Sequence, residues 1–265
     1  MRRAFLPAAI AVGLILGGAG TSAPGAPAPS QDPAPAFRAD RAAAPPAESV
    51  EPEGTAVLSN ERTLSRWAYV PRRLTAKARP RPGARVVKRL RSTTADGTPE
   101  LVLALRQRQV ASGATWVLVR LPMRPNGTKG WVRRGGLGAF HVVRTRLVID
   151  RDNFKISLYR RGHRVVKARI GVGTPDAPTP VGRFYVRERL IPIRSNTVYG
   201  VFAFGTSAFS PSISDWPGGG IIGVHGTNQP RLIPGRISHG CVRVRNPEIL
   251  KLKRRTPLGT PIRIR

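Results

Sequence analysis

The chain has 265 residues, enough for one large domain or two small ones. Its 45 Lys and Arg outnumber 14 Asp and Glu, and the resulting net charge of +31 attracts polyanions. The arginines are scattered and no recognisable nucleic-acid module accompanies them, so we expect no nucleic-acid partner. Two interpretations of the charge stay open: binding to anionic polymers of a bacterial envelope, or arginine replacing lysine on solvated faces.

The first 23 residues are predicted to be an export signal. Residues 1–3 are cationic at positions 2 and 3, residues 4–20 are almost entirely apolar, and small residues follow through Ala23. The apolar run is near the lower length limit for a spanning helix, so an uncleaved membrane anchor also fits. Either interpretation puts the rest of the chain outside the cytoplasm, secreted or membrane-anchored, in the cell wall or periplasm.

Residues 24–58 are rich in alanine and proline. Proline at this density favours extended polyproline II over helix or sheet, so we predict a disordered, semi-rigid linker.

Residues 59–138 are predicted to form a small β domain. Apolar or β-branched runs at 101–105 and 115–121 are followed by the turn signal Asn126-Gly127, which predicts about five short strands. The pattern, with Trp116 on one strand and Trp131 opening the next, resembles bacterial SH3-like β-barrels. The two tryptophans are either ligand-facing or core residues.

Residues 144–265 are predicted to form a second, mostly antiparallel β domain. In residues 154–159 the apolar side chains alternate, which is typical of a half-buried strand. Further strands are expected at 147–150, 163–172, 184–190, 221–224, 242–244 and 262–264. One short helix is expected from Asn246, as its N-cap, to about Arg254.

The single cysteine of the chain, Cys241, lies in the run Ser-His-Gly-Cys-Val-Arg at 238–243. Exported proteins usually carry paired cysteines, so a single one next to polar residues suggests a reactive thiol. An imidazole can take the thiol proton and later return it to a leaving amine. On spacing alone, His225 and His239 are both candidates for that base.

These residues carry a resemblance. Val-His-Gly-Thr at 224–227, Ser-His-Gly-Cys at 238–241 and Pro-Thr-Pro-Val-Gly-Arg-Phe at 178–184 are similar to the signature of the YkuD-type L,D-transpeptidases. The resemblance covers about the last 120 residues and implies a YkuD-like β-sandwich catalytic domain with one short helix. It also implies an enzyme that cuts peptidoglycan tetrapeptide stems through a cysteine thioester and forms 3→3 cross-links.

The resemblance also implies roles for individual residues. Cys241 is the nucleophile, His225 the general base, and the Gly226 carbonyl orients the imidazole. His239, Ser238 and Gly240 shape the pocket, backbone N–H groups at Gly240 and Cys241 form the oxyanion hole, and Arg243 either binds a substrate carboxylate or makes a structural ion pair. Peptidoglycan stem peptides are the implied partners, carbapenem acylation of Cys241 is expected, and no cofactor or metal is implied.

Several alternatives remain. The same cysteine and histidine could serve an L,D-carboxypeptidase or endopeptidase with water as the acceptor, or the chain could be a non-catalytic wall-binding protein. A zinc site would need a fourth ligand besides the two histidines and Cys241, and an inert buried thiol would not explain its polar neighbours. Residues 216–220 could be a loop over the donor site or an ordinary loop. We expect a monomer.

Overall fold

The computed structural model describes residues 36–40, 47–48, 55–194, 197–214 and 219–265. The predicted export signal at 1–23 lies outside these residues, as does most of the linker. In the part of the chain that is described, no helix is long and apolar enough to cross a membrane.

Nineteen strands and one α-helix make up the regular structure of the described residues. The first ten strands are β1 (Phe37–Ala39), β2 (Ala47–Glu48), β3 (Ala56–Val57), β4 (Ser65–Tyr69), β5 (Leu74–Lys77), β6 (Val86–Leu90), β7 (Leu101–Gln109), β8 (Thr115–Arg120), β9 (Lys129–Arg133) and β10 (Phe140–Val143). The next nine are β11 (Thr145–Asp150), β12 (Lys155–Arg160), β13 (His163–Gly173), β14 (Gly182–Pro192), β15 (Ala203–Phe209), β16 (Ile221–His225), β17 (Gly235–Ser238), β18 (Val242–Val244) and β19 (Pro261–Ile264). Helix α1 (Asn246–Lys253) lies between β18 and β19.

The C-terminal strands form a ten-stranded sheet in the order β1-β14-β15-β16-β18-β13-β12-β11-β19, with β17 paired to β13. Strand β19 pairs parallel with β11 and antiparallel with β14, so the sheet closes on itself. The predicted mainly β fold with one short helix is therefore confirmed for the described residues.

Alternation of apolar residues explains the core of this sheet. Leu147 and Ile149 on β11 face Leu158 and Ile156 on β12, and all four are fully buried. Phenylalanines at 184, 202 and 204 fill the same core. Each such side chain contributes roughly 1.5–3 kcal/mol by leaving water, so the period-2 pattern is enough to fix which face is buried.

The N-terminal strands form a nine-stranded sheet in the order β2-β10-β4-β7-β8-β9-β5-β6, with β3 paired to β7. This is more strands than the sequence pattern predicts, and the SH3-like resemblance stays a prediction. Trp116 is a core residue at 2% exposure, whereas Trp131 is half-buried.

A buried seam joins the two sheets. Tyr185 of β14 packs with Trp67, Leu101 and Leu103 of the N-terminal sheet, and its hydroxyl donates to the Leu101 carbonyl at 3.1 Å. The Arg187 guanidinium of β14 makes a two-point ion pair with the Glu100 carboxylate. The seam therefore combines apolar packing with a buried charge pair.

Two sequence predictions need correction. Within the predicted linker, Phe37–Ala39 forms β1 against the edge of β14, because the β14 backbone offers partners that an isolated proline-rich segment lacks. The helix N-cap is Arg245, not Asn246. The Asn246 side chain is used elsewhere, as described below.

Candidate active site

A parallel pair of strands brings the thiol and a histidine together. Strands β16 and β18 are parallel neighbours, with Val224 opposite Val242. This register puts Gly223 beside Cys241, and the Gly223 N–H donates to the Cys241 Sγ at 3.3 Å. His225 ends β16 on the same edge, two residues after Gly223.

The His225 ring is held in one orientation. Its Nδ1 lies 2.6 Å from the Gly226 carbonyl oxygen. A carbonyl only accepts, so Nδ1 carries the proton and Nε2 keeps a lone pair free to take one. The Tyr199 ring packs against the imidazole at 4.7 Å between centroids, and His225 is 3% exposed.

Burial sets the protonation of both groups. Burial lowers the pKa of His225 to about 4, the Gly226 hydrogen bond opposes this, and the Arg243 charge lowers it further. Burial also raises the pKa of the Cys241 thiol, although the Gly223 hydrogen bond and the Arg243 charge both lower it. At neutral pH the site therefore holds a neutral imidazole and a neutral thiol.

The turn before Cys241 is fixed by its own side chains. The Ser238 hydroxyl donates to the Cys241 carbonyl at 2.6 Å, and the Gly240 N–H donates to the Ser238 Oγ at 3.2 Å. Gly240 has φ +113, and a Cβ there would lie 2.8 Å from the Ile222 side chain, so glycine is required. The Gly240 N–H that the resemblance implies for the oxyanion hole is thus engaged within the turn.

Thr179 supports the same turn through hydrogen bonds of its side chain. The sequence analysis did not identify this contact. Its hydroxyl accepts from the Gly173 N–H at 2.9 Å and donates to the Gly240 carbonyl at 2.7 Å. Thr179 is 1% exposed. The Pro-Thr-Pro run, noticed in the sequence only as a motif, therefore connects β13 to the cysteine turn.

Asn246 fixes the turn that follows His225. Its side-chain oxygen accepts from the Thr227 N–H at 3.1 Å. A Cβ on Gly226 would lie 2.3 Å from that oxygen, so the close approach needs glycine. Because this oxygen is bound to Thr227, it does not cap the helix that Asn246 begins.

Arg243 places a positive charge next to the thiol. It lies opposite His225 in the strand register, and its Nη1 donates to the Gln229 side chain at 3.0 Å. Its Nε is buried and has no hydrogen-bond partner among the described residues. A buried donor without a partner is costly, so this guanidinium is suited to an anionic ligand group.

The remaining sequence candidates are less central. His239 is exposed, in contrast to His225, so the structure separates two histidines that spacing left equivalent. The described residues contain no group of three or more His, Cys, Asp or Glu that could hold a metal ion. Residues 216–218 of the predicted donor-site loop lie outside the described part of the chain.

The N-terminal sheet contacts the segment that leads into β16. In the β8–β9 connection, the Asn126 side chain makes two hydrogen bonds to the Phe209 backbone, at 2.7 and 3.0 Å. The Arg124 guanidinium donates to the carbonyls of Ser210 and Ile213 and stacks on the Phe209 ring. The Asn126-Gly127 turn signal in the sequence gave no indication of this contact.

Comparisons with known proteins agree with this geometry. Residues 144–264 match the family model of the L,D-transpeptidase catalytic domain, YkuD. A Bacillus licheniformis protein named YkuD is 30% identical over 119 residues, which is 45% of this chain and 64% of that protein. Its namesake in Bacillus subtilis is 33% identical over 103 residues, 38% of this chain and 55% of that protein. The chain therefore spans less than two thirds of the length of these curated relatives.

Among solved structures, an Enterococcus faecium L,D-transpeptidase aligns with a TM-score of 0.36 at 22% identity, over 46% of this chain and 49% of that one. Residues 144–264 of this chain are therefore similar to the YkuD-type L,D-transpeptidase catalytic domains, as the sequence motifs predict.

Proposed function

We propose that the chain is an exported cysteine L,D-transpeptidase that forms 3→3 cross-links between peptidoglycan tetrapeptide stems. One observation carries the proposal. The Cys241 sulfur accepts a hydrogen bond from Gly223, and the same strand ends at the buried His225, whose ring is held by the Gly226 carbonyl. The match of residues 144–264 to the L,D-transpeptidase catalytic domain supports the same conclusion.

In the first half-reaction, the His225 Nε2 takes the Cys241 proton as the sulfur attacks the carbonyl at the L-centre of diaminopimelate. A tetrahedral oxyanion forms. When it collapses, the bond to the terminal D-Ala nitrogen breaks, and the imidazolium returns its proton to that leaving amine. A thioester on Cys241 remains and D-Ala departs.

In the second half-reaction, the side-chain amine of another stem attacks the thioester carbonyl. The amine loses a proton to His225, the carbon–sulfur bond breaks, and the thiolate recovers that proton. One amide bond has been exchanged for another, with no cofactor or external energy source. A neutral imidazole is the required starting form, and the lowered pKa of His225 supplies it.

Neighbouring groups complete the site. The Gly223 N–H donates to the Cys241 sulfur and is suited to stabilising the negative charge that develops on this sulfur as its proton leaves. The partly buried Arg243 guanidinium is suited to a stem carboxylate. Ser238 and Gly240 shape the pocket by fixing the turn that presents Cys241.

The decisive experiment incubates the protein with disaccharide-tetrapeptide and identifies the products by mass spectrometry. Cross-linked dimer that disappears in Cys241→Ala supports transfer. Monomeric tripeptide alone would replace the proposal with an L,D-carboxypeptidase, since water would then be the acceptor. If neither product forms, a non-catalytic wall-binding protein becomes the better explanation.

A second test concerns the nucleophile alone. We expect a carbapenem to add its mass to the protein and Cys241→Ala to abolish the adduct. An adduct that persists in Cys241→Ala would contradict the assignment of the nucleophile.

The location is proposed from the sequence of residues 1–23. We expect the chain outside the cytoplasm, secreted or membrane-anchored. N-terminal sequencing of the protein isolated from its source measures this: a new N-terminus near residue 24 indicates cleavage, and an intact Met1 in the membrane fraction indicates an anchor. Recovery in the cytosol would overturn the export proposal.

A further inference from the structure

A cavity of about 570 Å³ lies away from the thiol site, at the C-terminal end of helix α1. Its walls come from the segment after α1, the junction between β10 and β11, the turn between β12 and β13, and Asp40. This volume falls within the range of roughly 300–1,000 Å³ that is usual for ligand sites. No residue of the Cys241 site lines it.

The lining of this cavity is strongly cationic. Asp40 is its single carboxylate, and seven arginine and lysine side chains surround it: Arg144, Arg160, Arg161, Arg189, Lys253, Arg254 and Arg255. The cavity is therefore a local cluster of positive charge, although most cationic residues are scattered along the rest of the chain.

Two of the seven cations share the single carboxylate. The Arg189 guanidinium pairs with the Asp40 carboxylate at 2.6 Å, and the Lys253 ammonium lies 3.9 Å from the same carboxylate. Arg189 also donates to the carbonyls of Lys253 and Thr256, so it is committed to holding the wall together. It is a structural residue of the cavity.

The other five arginines form no ion pair with any described residue, and their side chains are exposed at the cavity rim: Arg144, Arg160, Arg161, Arg254 and Arg255. Their backbone is well fixed. The Arg161 N–H donates to the Arg144 carbonyl at 2.8 Å, and the Arg255 N–H donates to the Leu252 carbonyl at 3.0 Å. Positive charges gathered around one cavity repel one another, and a bound anion would relieve that repulsion.

We propose that this cavity binds a phosphate-bearing anion. A guanidinium presents a planar fork of N–H donors that matches phosphate oxygens in two-point contacts. A terminal phosphate offers three unesterified oxygens to several such forks, and a phosphodiester polymer offers two from each of its successive phosphates. In an exported wall protein the source is either a free phosphate compound or a phosphodiester polymer, and the two share this chemistry.

The test measures binding to the full chain by calorimetry at about 0.15 M salt, where weak surface attraction is screened. The probes are pyrophosphate, a poly(glycerol phosphate) chain and polyglutamate. We expect both phosphate probes, or the polymer alone, to bind. If pyrophosphate binds with an affinity similar to that of the phosphate polymer, the natural source is a small molecule. If the phosphate polymer alone binds, the natural source is a polymer.

The variant Arg144→Gln/Arg254→Gln/Arg255→Gln removes three charges from the rim and leaves the Asp40–Arg189 pair intact. We expect it to weaken phosphate binding by about tenfold or more, since several charge-assisted hydrogen bonds are lost. The matched control, Arg79→Gln/Arg81→Gln/Arg85→Gln, removes the same charge from exposed positions beside β5 and β6. We expect it to weaken binding less than about threefold, because only the general field changes.

Three outcomes would overturn the proposal: no phosphate binding by the unaltered chain, equal weakening in both triple variants, or polyglutamate binding as tight as the phosphate polymer. Circular dichroism of each variant, with thermal midpoints close to that of the unaltered chain, separates lost binding from lost folding.

Discussion

The closed sheet contains two buried sets of titratable groups, and they are treated in opposite ways. At the thiol site, His225 is buried and Cys241 is half-buried, next to backbone groups and one arginine, and both are neutral. At the seam, burial alone would lower the pKa of Arg187, but the hydrogen bond and charge of Glu100 outweigh it and raise that pKa. The Glu100 carboxylate supplies the partner that the thiol site lacks.

This difference relates burial to function. A buried titratable group without a counter-charge is neutral, and it can still give or take a proton during a reaction. A paired buried group keeps its charge and serves as a fixed contact between two sheets. The same strand system thus contains a neutral thiol–histidine pair and an ion-paired contact between the sheets. The presence or absence of a counter-charge distinguishes the two.

The largest effect is expected at the thiol site. His225→Gln keeps a similar size but cannot act as a base, so we expect Cys241 acylation to slow by about 10²–10⁴-fold. The matched control is His163→Gln, an exposed histidine of β13, which should leave the rate unchanged. The measurement is the rate of carbapenem adduct formation by intact mass. Equal rates for the two variants would remove His225 from the mechanism.

At the seam, Glu100→Gln removes the counter-charge and leaves Arg187 buried without it. We expect the free energy of unfolding to fall by about 3–5 kcal/mol in a denaturant titration. The double variant Glu100→Leu/Arg187→Met should recover most of this loss, since no charge then remains buried. Asp152→Asn, which breaks the exposed pair with Arg236, should change stability by less than about 1 kcal/mol.

The pH dependence of stability tests whether the His225 imidazole is neutral in the folded chain. The folded pKa of His225 is about 4, below the unfolded value of 6.5, so the unfolded chain binds the extra proton between these values. Stability therefore falls as the pH is lowered from about 6.5 to 4, by roughly 3 kcal/mol in total. The measurement is the difference in unfolding free energy between the unaltered chain and His225→Gln at pH 7.5 and pH 4. A difference independent of pH would show that the imidazole is not forced to be neutral.

A smaller effect is expected at the support of the cysteine turn. Thr179→Val keeps the shape but leaves the Gly173 N–H and the Gly240 carbonyl without their buried partner, at a cost of about 1–3 kcal/mol. Thr256, whose buried hydroxyl has no partner among the described residues, provides the control. Thr256→Val should cost less in the same denaturant titration, and equal costs would contradict a specific role for the Thr179 hydroxyl.

The smallest effect is expected between the two sheets at the segment before β16. Asn126→Ala removes two hydrogen bonds to the Phe209 backbone, each contributing roughly 0.5–1.5 kcal/mol. We expect a loss of about 1–2 kcal/mol in stability. Asn153→Ala, at an exposed turn, is the comparison and should cost less. If the two losses match, the interdomain contact contributes nothing beyond an ordinary turn.

Local pattern predicts much of the C-terminal domain. Strand β18 was expected at 242–244 and is found there, and β16 extends the expected run 221–224 by one residue, His225. The first run is Val-Arg-Val and the second is mostly apolar, and glycine or polar residues flank both, so short-range signals suffice. The parallel pairing of these two strands was not predicted, because pairing depends on residues distant in the chain.

The site features that the sequence did not reveal are all long-range contacts. Tyr199 against His225, Thr179 beneath Gly240 and Asn246 on Thr227 depend on segments that meet only in the folded sheet. Strand β1 is a similar case, because its partner β14 lies about 150 residues away. The composition of this segment predicts a disordered linker, because its own residues carry no information about a partner strand so distant in the chain.

The parallel pairing of β16 and β18 has a consequence for the segment that connects them. Parallel neighbours need a crossover, and here it runs from residue 226 to residue 241, contains β17, and has an exposed stretch at 228–232. Insertions in such a surface segment cost little, because loop-closure entropy grows slowly with length. The number of residues between His225 and Cys241 can therefore change at little cost, because the pairing of β16 with β18 and not the length of the connection sets their proximity.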